Sequence, residues 1–140
     1  MNQVKVKRLF PDAQLPTRAY FNEAGADLYS RENIIVSPGE GAKVSTGVAF
    51  DIPIGHYAQM HTRSSMAKKG WAVVGGVCDC SYKGEYFVVL RNISDSTLII
   101  NVGDRIAQVV IYPIVTPEIV ETDDIGTSER QEGGFGSTGT

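Results

Sequence analysis

Short runs of apolar residues recur along the chain at the spacing expected for strands in a sheet. They predict seven strands, over residues 4–9, 34–36, 43–52, 56–61, 86–91, 97–102 and 106–114. Turn-forming sequences separate several of these runs, among them Pro38-Gly39, Pro53-Ile54-Gly55 and Val102-Gly103-Asp104. Many short strands joined by tight turns are typical of a sandwich, a barrel or a jelly roll. The pattern therefore predicts an all-β fold.

One segment, residues 64–69, has a helical pattern instead. Ser64 or Ser65 is placed to cap its start, and Gly70 follows its last residue. Because the segment is so short, we predict at most about two helical turns.

The composition supports a single β domain followed by a tail. The chain has 140 residues, of which 42% are hydrophobic, enough for one core and too few for two ordinary domains. There are 15 Val and 12 Ile against 5 Leu, a balance that favours pleated sheets. After residue 125 the sequence becomes glycine-rich, with Phe135 as its one large apolar side chain. We therefore predict a core over residues 1–125 and a mobile arm over residues 126–140.

Charge and cysteine content restrict the partners and the location. The net formal charge is -3 at pH 7 and no basic block is present, which disfavours nucleic acid as a partner. No apolar run approaches the roughly 20 residues of a membrane span, so no membrane partner is expected. Cys78 and Cys80 are the only cysteines and lie too close in sequence for an unstrained disulfide. We predict a soluble protein of a reducing compartment, cytoplasmic or otherwise intracellular.

Two polar clusters are candidates for chemistry. Arg63, Ser64 and Ser65 bring guanidinium, hydroxyl and backbone N–H donors to one helix start, a combination that binds phosphate oxygens. The same residues would also suit a capped helix beside a surface ion pair. Asp79 lies in an otherwise apolar strand, where it is either an acceptor that stabilises the next turn or a general base. Both interpretations of each cluster stay open on the residues alone.

A zinc site is disfavoured by spacing. Cys78 and Cys80 are closer together than the usual pair of zinc cysteines, and His56 and His61 would point to opposite faces of a strand. The sequence motifs of zinc-dependent nucleobase deaminases, P-loop proteins and α/β-hydrolases are also absent. We therefore predict no metal bound directly by these side chains.

Five polar stretches that contain or adjoin glycine follow one another along the chain. They read AGADLYS from Ala24, TRSSMA from Thr62, GGVCDCSYKGE from Gly75, GDRIAQ from Gly103 and RQEGGFGSTG from Arg130. In this order they resemble the five motifs of the homotrimeric dUTPases, which hydrolyse dUTP to dUMP and pyrophosphate. The resemblance covers nearly the whole chain. It implies a distorted β jelly roll that forms a homotrimer, with three active sites at subunit interfaces, each completed by a C-terminal arm.

The third stretch carries the implied reaction and base recognition. Asp79 matches the aspartate that activates the water attacking the α-phosphorus. Tyr82 matches the aromatic residue beneath the deoxyribose, where its ring leaves no space for a 2′-hydroxyl. The hairpin that includes Gly76 and Val77 would bind uracil through main-chain N–H and C=O groups, which cytosine cannot pair with.

The resemblance also implies phosphate contacts and a cofactor. Arg63, Ser64, Ser65 and Gln108 match the phosphate-side residues, and Asp104 would lie near Arg63 as its charge partner. Mg²⁺ is the implied cofactor, held mainly by the three phosphates and water, as a sequence without a carboxylate cluster would require.

No direct protein ligands to the metal are predicted. Asp27 matches the acidic residue near it and would act through water. In the arm, Arg130 would meet the γ-phosphate and Phe135 would stack on uracil. The remaining arm contacts, all to phosphates, would come from Gly136, Ser137 and Thr138.

Three departures from the family pattern bear on function. Cys80 and Ser81 replace the usual x-Asp between Asp79 and Tyr82, and Gln131 stands where glycine is common. Residues 72–74 also lack a polar side chain that some members direct at the base. The missing second aspartate keeps open a dUTP-binding regulatory or sensor protein with weak hydrolysis. A dCTP deaminase-like enzyme of the same fold is a further alternative, although the complete arm and the Asp79 hairpin favour the hydrolase.

Overall fold

The computed structural model describes residues 3–129, and strands dominate this part of the chain. Its elements are β1 (Lys5–Arg8), β2 (Ala26–Tyr29), β3 (Ile34–Val36), β4 (Gly41–Ser45), β5 (Val48–Asp51), β6 (His56–His61), α1 (Ser64–Lys69), β7 (Trp71–Val73), β8 (Val77–Cys78), β9 (Phe87–Asn92), β10 (Leu98–Ile100) and β11 (Arg105–Pro113).

The strands pair antiparallel, and most partners are distant in sequence. The sheets have the orders β1-β5, β10-β3, β2-β11-β6-β8 and β4-β9-β7. Pairs such as β3 with β10 and β4 with β9 require the chain to cross repeatedly between sheets, as in a jelly roll. The predicted all-β, distorted jelly-roll fold is confirmed.

The core lies between these sheets and is built mainly from alternate strand residues. In β9 the pattern is regular, with Val88, Leu90 and Asn92 fully buried between more exposed neighbours. Fully burying one large aliphatic side chain contributes about 1.5–3 kcal/mol, so this alternation fixes which face of the strand turns inward. The largest fully buried side chains are Trp71, Tyr86, Leu28, Ile52, Leu90, Ile100 and Ile106.

The prediction of one continuous strand over residues 43–52 is wrong. The structure divides it into β4 and β5, which are separated by Thr46 and Gly47. Gly47 has a φ of 74°, and an added Cβ there would lie 2.4 Å from Cδ of Arg31. The apolar pattern runs through the break because the residues on both sides of it are buried.

Two strands were missed for a related reason, because β2 and β7 have four and three residues, too few to show a period in the sequence. The strand predicted around Asp79 is present only as β8, which has two residues and ends before Asp79. β2 and β8 form the two outer strands of the sheet β2-β11-β6-β8, and long-range pairing with β11 and β6 defines them.

The predicted helix is confirmed over Ser64–Lys69, but its predicted cap is wrong. Arg63 occupies the N-cap position and makes no side-chain capping bond, so neither Ser64 nor Ser65 caps the helix. The end matches the prediction, because Gly70 adopts the left-handed conformation and its N–H bonds the carbonyl of Ala67 at 3.1 Å.

Beyond β11 the described chain has no helix or strand. Residues 114–129 are exposed throughout, including the apolar side chains of Val115, Ile119, Val120 and Ile125. Within residues 3–129, no helix is long and apolar enough to cross a membrane.

Candidate functional site

The hairpin over residues 75–85 is held to the fold by strand β6. Val77 and Cys78 pair with Gln59 and Ala58, and the N–H of Met60 bonds the carbonyl of Gly76 at 2.9 Å. β8 pairs on one side only, because it is the last strand of its sheet. Its outer main-chain groups are therefore available to a ligand.

Gly76 allows the hairpin to approach β6 closely. An added Cβ at this position would lie 2.8 Å from the carbonyl oxygen of Met60 and 3.0 Å from Nε2 of Gln59. The same Gln59 amide donates to the carbonyls of Met60 and Gly75, each at 3.2 Å. The backbone predicted to pair with uracil is thus fixed by β6 from behind.

Asp79 and Tyr82 are joined by the turn that follows β8. The N–H of Tyr82 bonds the carbonyl of Asp79 at 3.0 Å, and the Tyr82 hydroxyl donates to the carbonyl of Glu85 at 2.6 Å. The expectation that Asp79 lies in apolar surroundings is wrong for this single chain, because its side chain is exposed beyond the end of β8. Apolar surroundings would require that something else cover it.

These residues line a cleft of about 340 Å³. Sequence reasoning placed Gly76, Val77, Asp79 and Tyr82 together, and in the structure all four border this cleft. It missed three lining residues that other strands contribute, since their pairing is visible only in the fold; these are Lys43, Met60 and Phe87. It also assigned no role to Glu85 and Tyr86, which end the hairpin and line the same cleft.

Two buried titratable groups, Cys78 and Tyr86, form part of the wall of the cleft. Cys78 is 8% exposed and Tyr86 is 1% exposed, and the thiol and the phenol are close enough to interact. Burial raises the pKa of the Cys78 thiol, and the charge of Asp79 adds to that increase. Burial also raises the pKa of the Tyr86 phenol strongly, with the neighbouring thiol of Cys78 as a further cause. Both groups are therefore neutral packing residues at pH 7.

A second cleft, of about 320 Å³, contains basic residues near the start of α1. Arg63 donates from Nε to Oδ1 of Asp27 at 2.9 Å and from one terminal nitrogen to Oγ of Ser65 at 3.1 Å. Arg105 lies on the other side of Asp27, with its Nε 3.9 Å from Oδ2. One carboxylate thus holds two guanidinium groups in place, and Lys69 adds a third cation to the cleft lining.

Asp104 is not the ion-pair partner that the resemblance implies. It lines the second cleft, but its carboxylate accepts the N–H of Asn101 at 2.8 Å and thereby closes the turn before β11. Arg63 pairs with Asp27 instead. The strand register explains the difference, because Asp27 lies opposite Gln108 in the β2–β11 pair while Asp104 precedes β11.

Gln108 lies beside this second cleft and packs closely on the first motif. It pairs with Asp27 on one side and His61 on the other, and its amide nitrogen is 3.4 Å from the carbonyl of Thr62. Gly25 leaves room for it, since an added Cβ there would lie 2.2 Å from Oε1 of Gln108. Three of the polar motifs therefore meet at one place.

Within a single chain, only some of the residues predicted to contact phosphates line the second cleft. Arg63 and Ser65 line the second cleft, while Ser64 is exposed at the first position of α1. The two clefts share no lining residue. The arm residues Arg130, Phe135, Gly136, Ser137 and Thr138 lie outside the described part of the chain.

The family is identified by comparison with known proteins. The dUTPase family model matches residues 11–139. The chain is 45% identical over 138 residues to the deoxyuridine 5'-triphosphate nucleotidohydrolase of Hydrogenobaculum sp., covering 96% of both proteins. It is 44% identical over 137 residues to the enzyme of the same name from Oryza sativa, covering 97% of this chain and 80% of the rice protein. The chain belongs to the dUTPase family.

Solved structures agree with this assignment. A variant of the dUTPase of Staphylococcus bacteriophage 80alpha, in complex with dUpNHpp, superposes with a TM-score of 0.93 at 30% identity and covers 100% of both chains. A variant of the dUTPase from phage phi11 of S. aureus has a TM-score of 0.84 at 27% identity, over 90% of this chain and all of the phage chain. The latter structure is described by its coordination of a structural Mg(II) ion.

Proposed function

We propose that this protein hydrolyses dUTP to dUMP and pyrophosphate by water attack on the α-phosphorus. Such an enzyme limits uracil in DNA and supplies dUMP for thymidylate synthesis. Family membership supports the activity, and one observation supports the assignment of the site. A single hairpin places Asp79, Tyr82, Gly76 and Val77 on the same cleft. The comparisons favour the hydrolase over a deaminase or a sensor with weak hydrolysis.

Asp79 is the proposed general base. Its carboxylate is exposed at the edge of the cleft, where a water molecule can reach it. In the proposed reaction it takes a proton from that water as the oxygen attacks the α-phosphorus and pyrophosphate leaves. The arm, closing over the cleft, would supply the exclusion of bulk water that the single chain lacks.

The base and sugar are selected by the same hairpin. Gly76 and Val77 present main-chain groups on the unpaired side of β8, where they can match the donor and acceptor pattern of uracil. Cytosine has the opposite pattern at two positions, so it would leave buried polar groups unpaired. The ring of Tyr82 would lie beneath the deoxyribose and exclude a 2′-hydroxyl by its volume.

The phosphates are proposed to bind at the second cleft. Arg63, Ser64, Ser65 and Gln108 would contact phosphate oxygens, and Arg105 adds positive charge beside Arg63. A planar guanidinium suits this role, because it can offer two parallel N–H donors to one phosphate. Asp27 would hold the two guanidinium groups ready before the substrate arrives.

The residues of this cleft fit a Mg²⁺ ion that binds together with the triphosphate. Among residues 3–129, no group of three or more His, Cys, Asp and Glu side chains is placed to hold a metal ion. Asp27 already interacts with Arg63 and Arg105, which suits a contact through water better than direct ligation. When bound, Mg²⁺ would neutralise phosphate charge and orient the chain of phosphates.

A homotrimer with shared sites is the proposed assembly. The hairpin cleft and the basic cleft share no lining residue within one chain, so a neighbouring copy could bring the two types of cleft together. The exposed apolar residues Val115, Ile119, Val120 and Ile125 also favour association, since burial of apolar side chains against a partner is favourable. Residues 126–140 would then close over a site of the assembly.

The decisive experiment is pyrophosphate release from dUTP, dTTP, dCTP and UTP, with and without Mg²⁺. We expect hydrolysis of dUTP alone and strong stimulation by Mg²⁺. Tight dUTP binding without turnover would support a sensor, and formation of a uracil nucleotide from dCTP would support a deaminase.

Complementation tests the shared site. Asp79→Asn subunits would be mixed with subunits truncated after Glu132, since one supplies the arm and the other the base. Recovered turnover is expected in hybrid trimers. Hybrids that are confirmed by mass but remain inactive would contradict the shared site.

A further inference from the structure

Tyr82 is held in the hairpin turn at its main chain and at its side chain. The main-chain N–H of Tyr82 bonds the carbonyl of Asp79 at 3.0 Å, and the hydroxyl of its ring donates to the carbonyl of Glu85 at 2.6 Å. The ring also covers Gly84, where an added Cβ would lie 2.8 Å from the hydroxyl oxygen and 3.0 Å from Cζ. Tyr82 is 43% exposed, so packing alone does not fix its orientation. The position of the Glu85 carbonyl therefore sets the position of the ring.

Glu85 is itself anchored to the junction between β4 and β5. One oxygen of its carboxylate, Oε2, accepts a short hydrogen bond from the hydroxyl of Ser45 and a second, of 3.0 Å, from the N–H of Gly47. These donors are 40 and 38 residues away in sequence, and the side chain of Glu85 is half-buried. The anchor thus connects the substrate hairpin with a different pair of strands.

The Ser45 hydroxyl can point only one way. Arg31 donates to its oxygen at 2.8 Å, and Arg31 is held in turn by Asp12 at 2.9 Å and by the ring of Phe10, 3.7 Å from the guanidinium carbon. A hydroxyl has a single proton, and a guanidinium cannot accept it. The proton of Ser45 is therefore directed at Glu85, which makes the anchor a defined hydrogen bond.

We propose that Glu85 is a positioning residue for sugar selection. Its carboxylate, held by Ser45 and the N–H of Gly47, fixes the carbonyl that orients the Tyr82 ring against the 2′ position of the nucleotide. The inference rests on the proposed role of Tyr82 beneath the deoxyribose. Loss of the anchor should let the ring move and should admit UTP, while the chemistry at Asp79 continues.

The test compares kcat/KM for dUTP and UTP in three variants of the full-length protein. Glu85→Ala removes the anchor, and we expect the dUTP-to-UTP ratio to fall about 10-fold, below the roughly 10²-fold that a hydrophobic surface gains by rejecting one hydroxyl. Glu85→Gln keeps a carbonyl oxygen that can accept both bonds, so its ratio should stay within about twofold of the parent value. Lys83→Ala is the matched control. Lys83 belongs to the same turn but pairs at 2.7 Å with exposed Asp51, and its loss should leave the ratio unchanged.

A double variant separates positioning from general stability. Tyr82→Phe removes the hydroxyl that bonds Glu85, so adding it to Glu85→Ala should lower the ratio no further than the larger single effect. Additive losses, or an unchanged ratio in Glu85→Ala, would overturn the proposal. Should Glu85→Ala not fold, Ser45→Ala provides a second test, because it removes one of the two donors to the Glu85 carboxylate. We expect it to lower the dUTP-to-UTP ratio about threefold, which is about half of the full effect on a logarithmic scale.

Tyr82→Ala distinguishes this inference from the function on which it rests. An unchanged ratio in Tyr82→Ala would mean that the sugar is selected elsewhere, which contradicts the proposed role of Tyr82. A lowered ratio in Tyr82→Ala with a normal ratio in Glu85→Ala would contradict only the anchor.

Discussion

Replacing Gly76 by alanine should damage the hairpin far more than the same change at Gly75. The two glycines are adjacent and both have positive φ, 71° at Gly75 and 100° at Gly76. Their surroundings differ, because an added Cβ at Gly75 meets nothing within 4 Å. At Gly76 the added Cβ would lie 2.8 Å from the Met60 carbonyl oxygen, a backbone atom that cannot rotate away.

The expected magnitudes follow from these contacts. At Gly75 only backbone strain is added, which costs an L-residue in the left-handed region about 1 kcal/mol. At Gly76 the strain is about 2 kcal/mol, because φ lies beyond the left-handed minimum. The collision must also displace the 2.9 Å bond from the N–H of Met60 to the Gly76 carbonyl, which adds about 1 kcal/mol. We expect Gly76→Ala to lower the free energy of unfolding by about 3 kcal/mol, against about 1 kcal/mol for Gly75→Ala.

Urea denaturation of both variants measures these changes, and calorimetric titration with dUMP reports on the hairpin. Gly76→Ala should bind dUMP at least about 10-fold more weakly, since its displaced backbone can no longer match uracil, whereas Gly75→Ala should bind almost normally. Equal loss of stability in the two variants would refute the collision with β6 as the cause. Normal dUMP binding by Gly76→Ala would show that this backbone does not select the base.

Further predictions concern the two clefts and the buried groups in the wall of one of them. Asp79→Asn should lower dUTP turnover by about 10² to 10⁴ while retaining affinity for dUTP, because the amide cannot take a proton; single-turnover kinetics and equilibrium binding test this, and near-normal turnover would exclude Asp79 as the base. Arg63→Lys should reduce dUTP turnover by about 10-fold or more with little effect on dUMP affinity, because the ammonium of lysine cannot donate to Asp27 and to a phosphate at the same time as a guanidinium can; equal losses for dUTP and dUMP would contradict this. Because burial raises the pKa of both Cys78 and Tyr86, the unfolded state loses their protons first, so stability should fall as the pH rises above about 9; in the Cys78→Ala/Tyr86→Phe variant this decline should be shallower.

The sequence by itself determined the fold class and the hairpin half of the candidate site. Short β-branched runs between turn residues can bury one face only as strands, so their pattern predicted the sheets. Gly76, Val77, Asp79 and Tyr82 lie within seven residues, and a single turn is enough to bring them to one cleft. Helix α1 and its terminal Gly70 were equally local and equally predictable.

The tertiary structure alone decided the contacts that join distant segments. Asp27 rather than Asp104 pairs with Arg63 because the β2–β11 register places it there, and a strand of four residues carries too little pattern to identify its partner from the sequence. The anchor of Glu85 on Ser45 crosses 40 residues and depends on the break at Gly47, which the continuous apolar pattern concealed. Local patterns record which face of a strand is buried, whereas the choice of partner depends on the packing of the whole chain.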